Sequence, residues 1–344
     1  MNAIKALVCI TAVVSLLTSP GIGASVVGQD GISMALAFPK LQYVVGEPVD
    51  AVIDFTNTGS SPVRFLPHLP TDWWFFLEIH MQRPDGTSFE FRPGMGAFID
   101  PKRGHTQGTV LLAPGEKCRA TIPLTVGSVS VPWLEDTRSS LDYTFGEPGE
   151  YIVQMSYRNQ TDFTDPVWKG FITSPALSLR VAPPDPADEI AAKAWNTLII
   201  RKALAYMGTA YGYKQISAFS KFLHDHPNSI FSDYARFHLA ECYAQIIPYQ
   251  PATELPLYRE NAISLYLEML AHGKPEVYLP QARLSLADCY RKAGNVEAAR
   301  QTAQELISLT PAGTTSTTVV AAQKLLAELP APSPSPAPPS EPKP

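Results

Sequence analysis

The side chains in this chain that could ligate, attack or transfer a proton stand at spacings that suit little of that chemistry. His224-Asp225-His226 sets two imidazoles around a carboxylate, the donor types of a metal pair. On a helix, positions i and i+2 point to different sides, and the triplet stands just before Pro227, where a helix must stop. Cationic side chains favoured at a helix C-terminus explain it better than a metal does. Cys118, Cys242 and Cys289 are an odd set outside the N-terminal segment, and none sits in a CxxC or Cys/His ligand spacing. HExxH, GxSxG, a P-loop and a post-strand GxGxxG are all missing from the sequence. The expectation is a non-enzymatic protein with no catalytic residue, metal or cofactor. The enzymatic alternative is a hydrolase whose dispersed site is assembled across the fold.

Side chains suited to holding another polypeptide stand on two matching segments. Ala235-Arg236-Phe237-His238-Leu239-Ala240-Glu241-Cys242-Tyr243 parallels Ala282-Arg283-Leu284-Ser285-Leu286-Ala287-Asp288-Cys289-Tyr290 at an offset of 47 residues. The small residues Ala240 and Ala287 allow close helix approach, and Leu239, Leu286, Tyr243 and Tyr290 fill a seam. That leaves Tyr234, Arg236, His238 and Glu241 on one helix, and Gln281, Arg283, Ser285 and Asp288 on the next, as outward positions available to a partner. The plainer reading of each is a solvated helix face. The matched cysteines read as equivalent small core residues.

These positions need a framework, and the chain is long enough for two domains: 344 residues, 45% hydrophobic and 17% charged. A formal charge of -5 lacks the clustered cations that phosphate-backbone binding requires, so nucleic acid is excluded as a partner. Lys5, an apolar run over 6–17, Ser19-Pro20 and small residues ending at Ala24 follow the order of a secretory signal peptide, residues 1–24. The run is shorter than the roughly 20 residues a membrane span takes. A periplasmic or secreted protein, cleaved near Ala24 and without a transmembrane segment thereafter, is expected.

From 30 to 182 apolar residues alternate in short runs broken by turns, as in an all-β sandwich. Runs are expected over 49–55, 63–66, 73–79, around Phe89 and Phe91, over 118–124, 151–157 and 176–181. Trp73-Trp74-Phe75-Phe76 must divide between the two faces of its strand, half of it core and half loop cover or contact surface. Residues 92–107, with His105, read as a long loop with a possible binding role. Val45-Gly46-Glu47-Pro48-Val49 with Phe55-Thr56-Asn57, and Glu147-Pro148-Gly149-Glu150-Tyr151, resemble the opening and the "PGEY" strand entry of bacterial immunoglobulin-like domains. Some similar domains are described as proteinase-inhibitor-like, which implies an alternative function: a sandwich acting on an extracytoplasmic protease.

Pro183-Pro184-Asp185-Pro186 ends the alternation, and helical spacing follows over 185–329. Helices are expected over 187–207, 213–224, 258–271 and 296–309, around the two matched segments, and over 317–329 as a cap. Pro227-Asn228-Ser229 through Tyr243 resembles the start of a tetratricopeptide repeat, and 281–311 resembles one full repeat. The fold class is therefore multidomain, all-β plus all-α: an immunoglobulin-like sandwich and then a tetratricopeptide-like hairpin stack. The resemblance implies a concave groove lined by the first helix of each pair, binding a protein or peptide. Residues 330–344 alternate Pro with Ala and Ser and cannot build a core.

Overall fold

The computed structural model of the chain describes residues 24–27, 31–66, 77–93, 109–129, 141–159, 167–205, 212–246 and 254–331. The leader up to residue 23, the Trp73-Trp74-Phe75-Phe76 cluster, the 92–107 loop beyond Pro93 and the tail beyond residue 331 lie outside the described residues.

A sheet-rich region comes first. Its strands are β1 (Ala24–Val27), β2 (Ile32–Ala37), β3 (Gln42–Val44), β4 (Asp50–Asn57), β5 (Val63–Phe65), β6 (Leu77–Gln82) and β7 (Ser88–Pro93). They continue as β8 (Val110–Leu112), β9 (Lys117–Pro123), β10 (Val126–Val129), β11 (Leu141–Tyr143), β12 (Gly149–Asn159), β13 (Gly170–Thr173) and β14 (Leu177–Ala182). The helical region holds α1 (Glu189–Ala205), α2 (Gly212–Asp225), α3 (Ser232–Ile246), α4 (Leu255–His272), α5 (Leu279–Lys292), α6 (Val296–Ser308), the strand β15 (Thr314–Ser316) and α7 (Thr317–Glu328).

Alternation builds the sheets. Ala51, Ile53, Phe55 and Asn57 of β4 and Cys118, Ala120 and Ile122 of β9 turn inward, and the two strands pair antiparallel with Phe55 opposite Cys118. On β12, Tyr151, Val153, Met155 and Tyr157 do the same. One sheet runs β1-β2-β4-β9-β15, a second β11-β10-β7-β6-β12-β14-β3 with β13 also on β12, and β5 pairs with β8 in a small third sheet. Their inner faces share one core, centred on Phe55, Phe65, Tyr157 and Trp168, with Phe55 and Phe65 ring centroids 4.7 Å apart. Asn57, fully buried, spends its amide on the chain itself: Nδ2 donates to Ser61 O at 2.9 Å and Leu112 O at 2.8 Å, and Oδ1 accepts from Gly59 N at 2.9 Å.

The helices stack in sequence, and three clusters form a continuous spine. Trp195 anchors α1–α3 among Phe219, Phe222 and Phe231; Tyr266 and Met269 join α3, α4 and α5; Ala287, Ala303 and Ala322 join α5, α6 and α7. Side-chain caps set two helix starts: Asn295 accepts from Ala298 N at 3.2 Å, and Ser316 from Val319 N at 3.2 Å. The turn into α4 and the turn into α5 each carry Pro in the first helical positions.

The expected division into separate β and α units needs one correction. The 314–316 segment, within the stretch expected to be all helical, is a strand: β15 pairs parallel with β9, Thr314 opposite Lys117 and Ser316 opposite Arg119, and Lys117 N donates to Gly313 O at 2.8 Å. The helical region thus completes the edge of a sheet formed early in the chain. No helix among the described residues is long and apolar enough to cross a membrane.

Candidate functional site

Helices α3, α5 and α7 stand side by side and line a groove of about 450 Å3. Glu241 and Ala244 come from α3; Gln281, Leu284, Ser285, Asp288, Arg291 and Lys292 from α5; and Ala321, Lys324, Leu325 and Glu328 from α7. These positions recur three or four residues apart on each helix, so each helix gives the groove one stripe.

The groove floor is a hydrogen-bonded chain. Tyr266 of α4 donates to Glu241 Oε1 at 2.6 Å, Ser285 Oγ donates to the same oxygen at 2.8 Å, and Gln281 Nε2 donates to Ser285 Oγ at 3.2 Å. Burial, then Glu241, holds the Tyr266 hydroxyl protonated far above its ordinary range. Toward the end of α5, Asp288 takes Arg291 and, at 2.7 Å, Lys292. Burial works against the Asp288 carboxylate, yet these donors outweigh it and keep its pKa below the usual range. Opposite charges therefore alternate along the groove beside the apolar patches of Ala244, Leu284, Ala321 and Leu325. Such a surface can hold a polypeptide by side-chain and main-chain hydrogen bonds. Among the described residues no group of three or more His, Cys, Asp and Glu side chains is placed to hold a metal ion.

The eight residues expected to face a partner divide three ways. Glu241, Gln281, Ser285 and Asp288 meet in the groove. Arg236 and Arg283 instead clasp the second helix of their own hairpins: Arg236 Nε lies 2.9 Å from Glu268 Oε1 and Arg283 Nε 3.3 Å from Glu305 Oε1. The expectation that Tyr234 and His238 point outward is corrected. Tyr234 is 8% and His238 9% exposed, because the sheet-rich region and α1 cover that part of α3. His238 stacks on Trp195, and Tyr234 donates to Glu47 Oε1 at 2.8 Å. The groove therefore opens only over the second half of the stack. α7, expected as a plain cap, supplies a wall, and its 321, 324/325, 328 spacing was the available signal.

A second polar cluster lies where the two regions meet. Glu47, 5% exposed, is ion-paired with Lys40, accepts from Val44 N at 3.1 Å and receives the Tyr234 hydroxyl. Asp50, 3% exposed, lies within hydrogen-bonding reach of the Tyr278 hydroxyl, while its Oδ2 has no partner. Burial pushes the Asp50 carboxyl up to about 7, against the lowering effect of Tyr278. Tyr43 and Tyr234 are held well above the ordinary phenol range, first by burial and then by these carboxylates. Gly46 makes the close approach possible: at φ +94°, a Cβ there would lie 2.8 Å from Asn196 Oδ1 of α1 and 3.3 Å from the Phe231 ring. Glu47 and Asp50, two of the three acids in the otherwise apolar stretch from Tyr43 to Phe55, were the sequence sign of this cluster.

Cys242 and Cys289 occupy successive packing layers, one with α1–α3 and the other with α3–α5. Burial pushes the Cys289 thiol up to about 12.

Comparison with known proteins adds no family. No family model matches the chain, and no curated protein matches it. Among solved structures, a β-glucosidase from Listeria innocua in complex with isofagomine is 10% identical, with a TM-score of 0.22 over 44% of this chain and 16% of that one. A CARDB domain from Pyrococcus furiosus in complex with di-metal ions is 12% identical, with a TM-score of 0.20 over 44% of this chain and 87% of that one. This chain thus spans about a sixth of the glucosidase, at 16%. At these TM-scores neither likeness carries an argument.

Proposed function

We propose that the chain is an exported, non-enzymatic interaction protein, an immunoglobulin-like sandwich joined to a tetratricopeptide-like stack, that holds a segment of a partner polypeptide between α3, α5 and α7. The observation that carries this reading is the groove itself: four of the residues singled out by the internal repeat converge there, Glu241, Gln281 and Ser285 hydrogen-bonded into a fixed floor and Asp288 among the paired charges along one side. A rigid, pre-organised floor lowers the entropy a guest segment must lose on binding.

Two further features support the fold assignments. The clasp between the fifth residue of the first helix and a Glu near the end of the second recurs in both hairpins, Arg236 with Glu268 and Arg283 with Glu305, as a structural repeat requires. In the sandwich, Tyr151 OH donates back to Glu147 O at 3.0 Å, the bond of a tyrosine corner.

Site-specific photo-cross-linking in the cells that make the protein tests the reading. A cross-linker at Ser285 or Lys324 of the full chain yields the same discrete polypeptide adduct, and one at the exposed Gln304 of α6 does not. Equal adducts at all three positions, or none at Ser285 and Lys324, would remove the groove from the account.

A further inference from the structure

We propose that the seam between the sheet-rich and helical regions is a proton-operated clasp, closed when Asp50 is a neutral carboxyl and loosened when it is a carboxylate. This inference is independent of what fills the groove.

The geometry carries the argument. Two carboxyl groups, Glu47 and Asp50, enter one nearly dry interface, and the cation placed there is Lys40, which is committed to Glu47. Both acids act on Tyr43 and on Tyr234, so they share one neighbourhood. Glu47 is served by an ammonium, a backbone N–H and the Tyr234 hydroxyl; Asp50 has the Tyr278 hydroxyl and an oxygen with no partner. An ionised carboxylate in that position lacks the pairing a buried charge needs, and taking up a proton relieves the cost. Among the described residues the groups that face Asp50 are Tyr43 on β3, Glu47 on the turn before β4 with Lys40 from the segment before β3, Tyr234 on α3, and Tyr278 on the turn before α5. His238 is the other titratable side chain nearby, its ring 6.0 Å from that of Tyr278.

The sign follows from the folded and unfolded values. Burial lifts the Asp50 carboxyl from 3.8 to about 7. The folded chain then binds the proton more tightly than the unfolded chain between those values, so the stability that Asp50 contributes to the seam is full below about pH 4. It declines as pH rises and is lost once Asp50 is ionised above about pH 7. The partners connect this site to the stack, because Tyr278 directly precedes α5, and α3 carries Tyr234 on one face and Glu241 on another.

Hydrogen–deuterium exchange of the full chain between pH 5 and pH 8, corrected for the intrinsic pH dependence of exchange, tests the clasp. Peptides covering 43–50 and 276–282 are expected to lose protection at least about tenfold over that range, while 153–157 on β12 stays constant. Asp50→Asn, which keeps the shape and cannot ionise, is expected to abolish the loss. Tyr278→Phe removes a donor that favours the carboxylate, so its transition moves to higher pH; His238→Asn leaves the transition in place. If Asp50→Asn retains the wild-type pH dependence, Tyr278→Phe moves the transition downward, or His238→Asn abolishes it, the clasp does not reside on Asp50. The Tyr278→Phe and His238→Asn arms decide the question even if Asp50→Asn does not fold.

Discussion

The bond from Tyr234 to Glu47 joins two regions whose contributing residues are far apart in sequence, and it can be weighed directly. The donor–acceptor distance is 2.8 Å, Tyr234 is 8% exposed and Glu47 5%, so water cannot replace the hydroxyl when it is removed. A hydrogen bond to a charged group contributes about 1.5–3 kcal/mol. Tyr234→Phe deletes one oxygen and keeps the ring packed beside Trp195 and Tyr278, so the expected loss is about 2 kcal/mol with little cavity cost. For a single cooperative unit of roughly 300 residues that corresponds to a melting temperature lower by about 3 °C. Glu47→Gln alone weakens the pair with Lys40 as well, so the informative measurement is the double-mutant cycle by calorimetry at constant pH. A coupling of about 1–2 kcal/mol between Tyr234→Phe and Glu47→Gln is expected, within one transition. Additive effects, a Tyr234→Phe loss under about 0.5 kcal/mol, or two separate transitions in the parent chain would refute the reasoning.

Two other outcomes follow from burial. Asn57→Ala removes the amide's two donated bonds and the oxygen that accepts from Gly59 N at the end of the central strand β4, and should cost about 3 kcal/mol in urea unfolding with an unchanged slope. Cys118 is fully buried, and burial pushes its thiol, like that of Cys289, up to about 12. Aromatic disulfide reagents at pH 8 should therefore label these two thiols only as fast as the chain unfolds; stoichiometric labelling of either in the native protein would contradict the packing.

How much of this could be read from the residues depends on what a pattern reports. Period-two alternation placed β4, β9, β12 and β14, because each shows one face to a core, and the 47-residue echo placed α3 and α5 as packing equivalents. Periodicity distinguishes an apolar face from a polar one, but does not say which neighbour covers it. Tyr234 and His238 looked outward for that reason: on a lone hairpin they would be, and only the approach of the β3–β4 turn and Trp195 buries them. Glu241, Gln281, Ser285 and Asp288 were legible as groove positions because the packing of α3 on α5 is local. The 314–316 strand had no signal of its own. Thr314-Thr315-Ser316 lacks apolar alternation, and its partner is a strand from the opposite half of the chain.

That late strand also bears on how the molecule can come into being. Lys117 and Thr314 lie roughly two hundred residues apart, so this pairing closes one of the longest loops in the chain, a step that is slow on general grounds. During synthesis the β9 edge must wait, its amides bare, until residues 314–316 have arrived. A fragment ending before residue 314 would keep that edge permanently open, the kind of surface on which copies add to one another. Self-association of the truncated chain, and its relief by a peptide spanning 312–318, would be the visible sign that the helical region acts as the edge guard of the sheet-rich one.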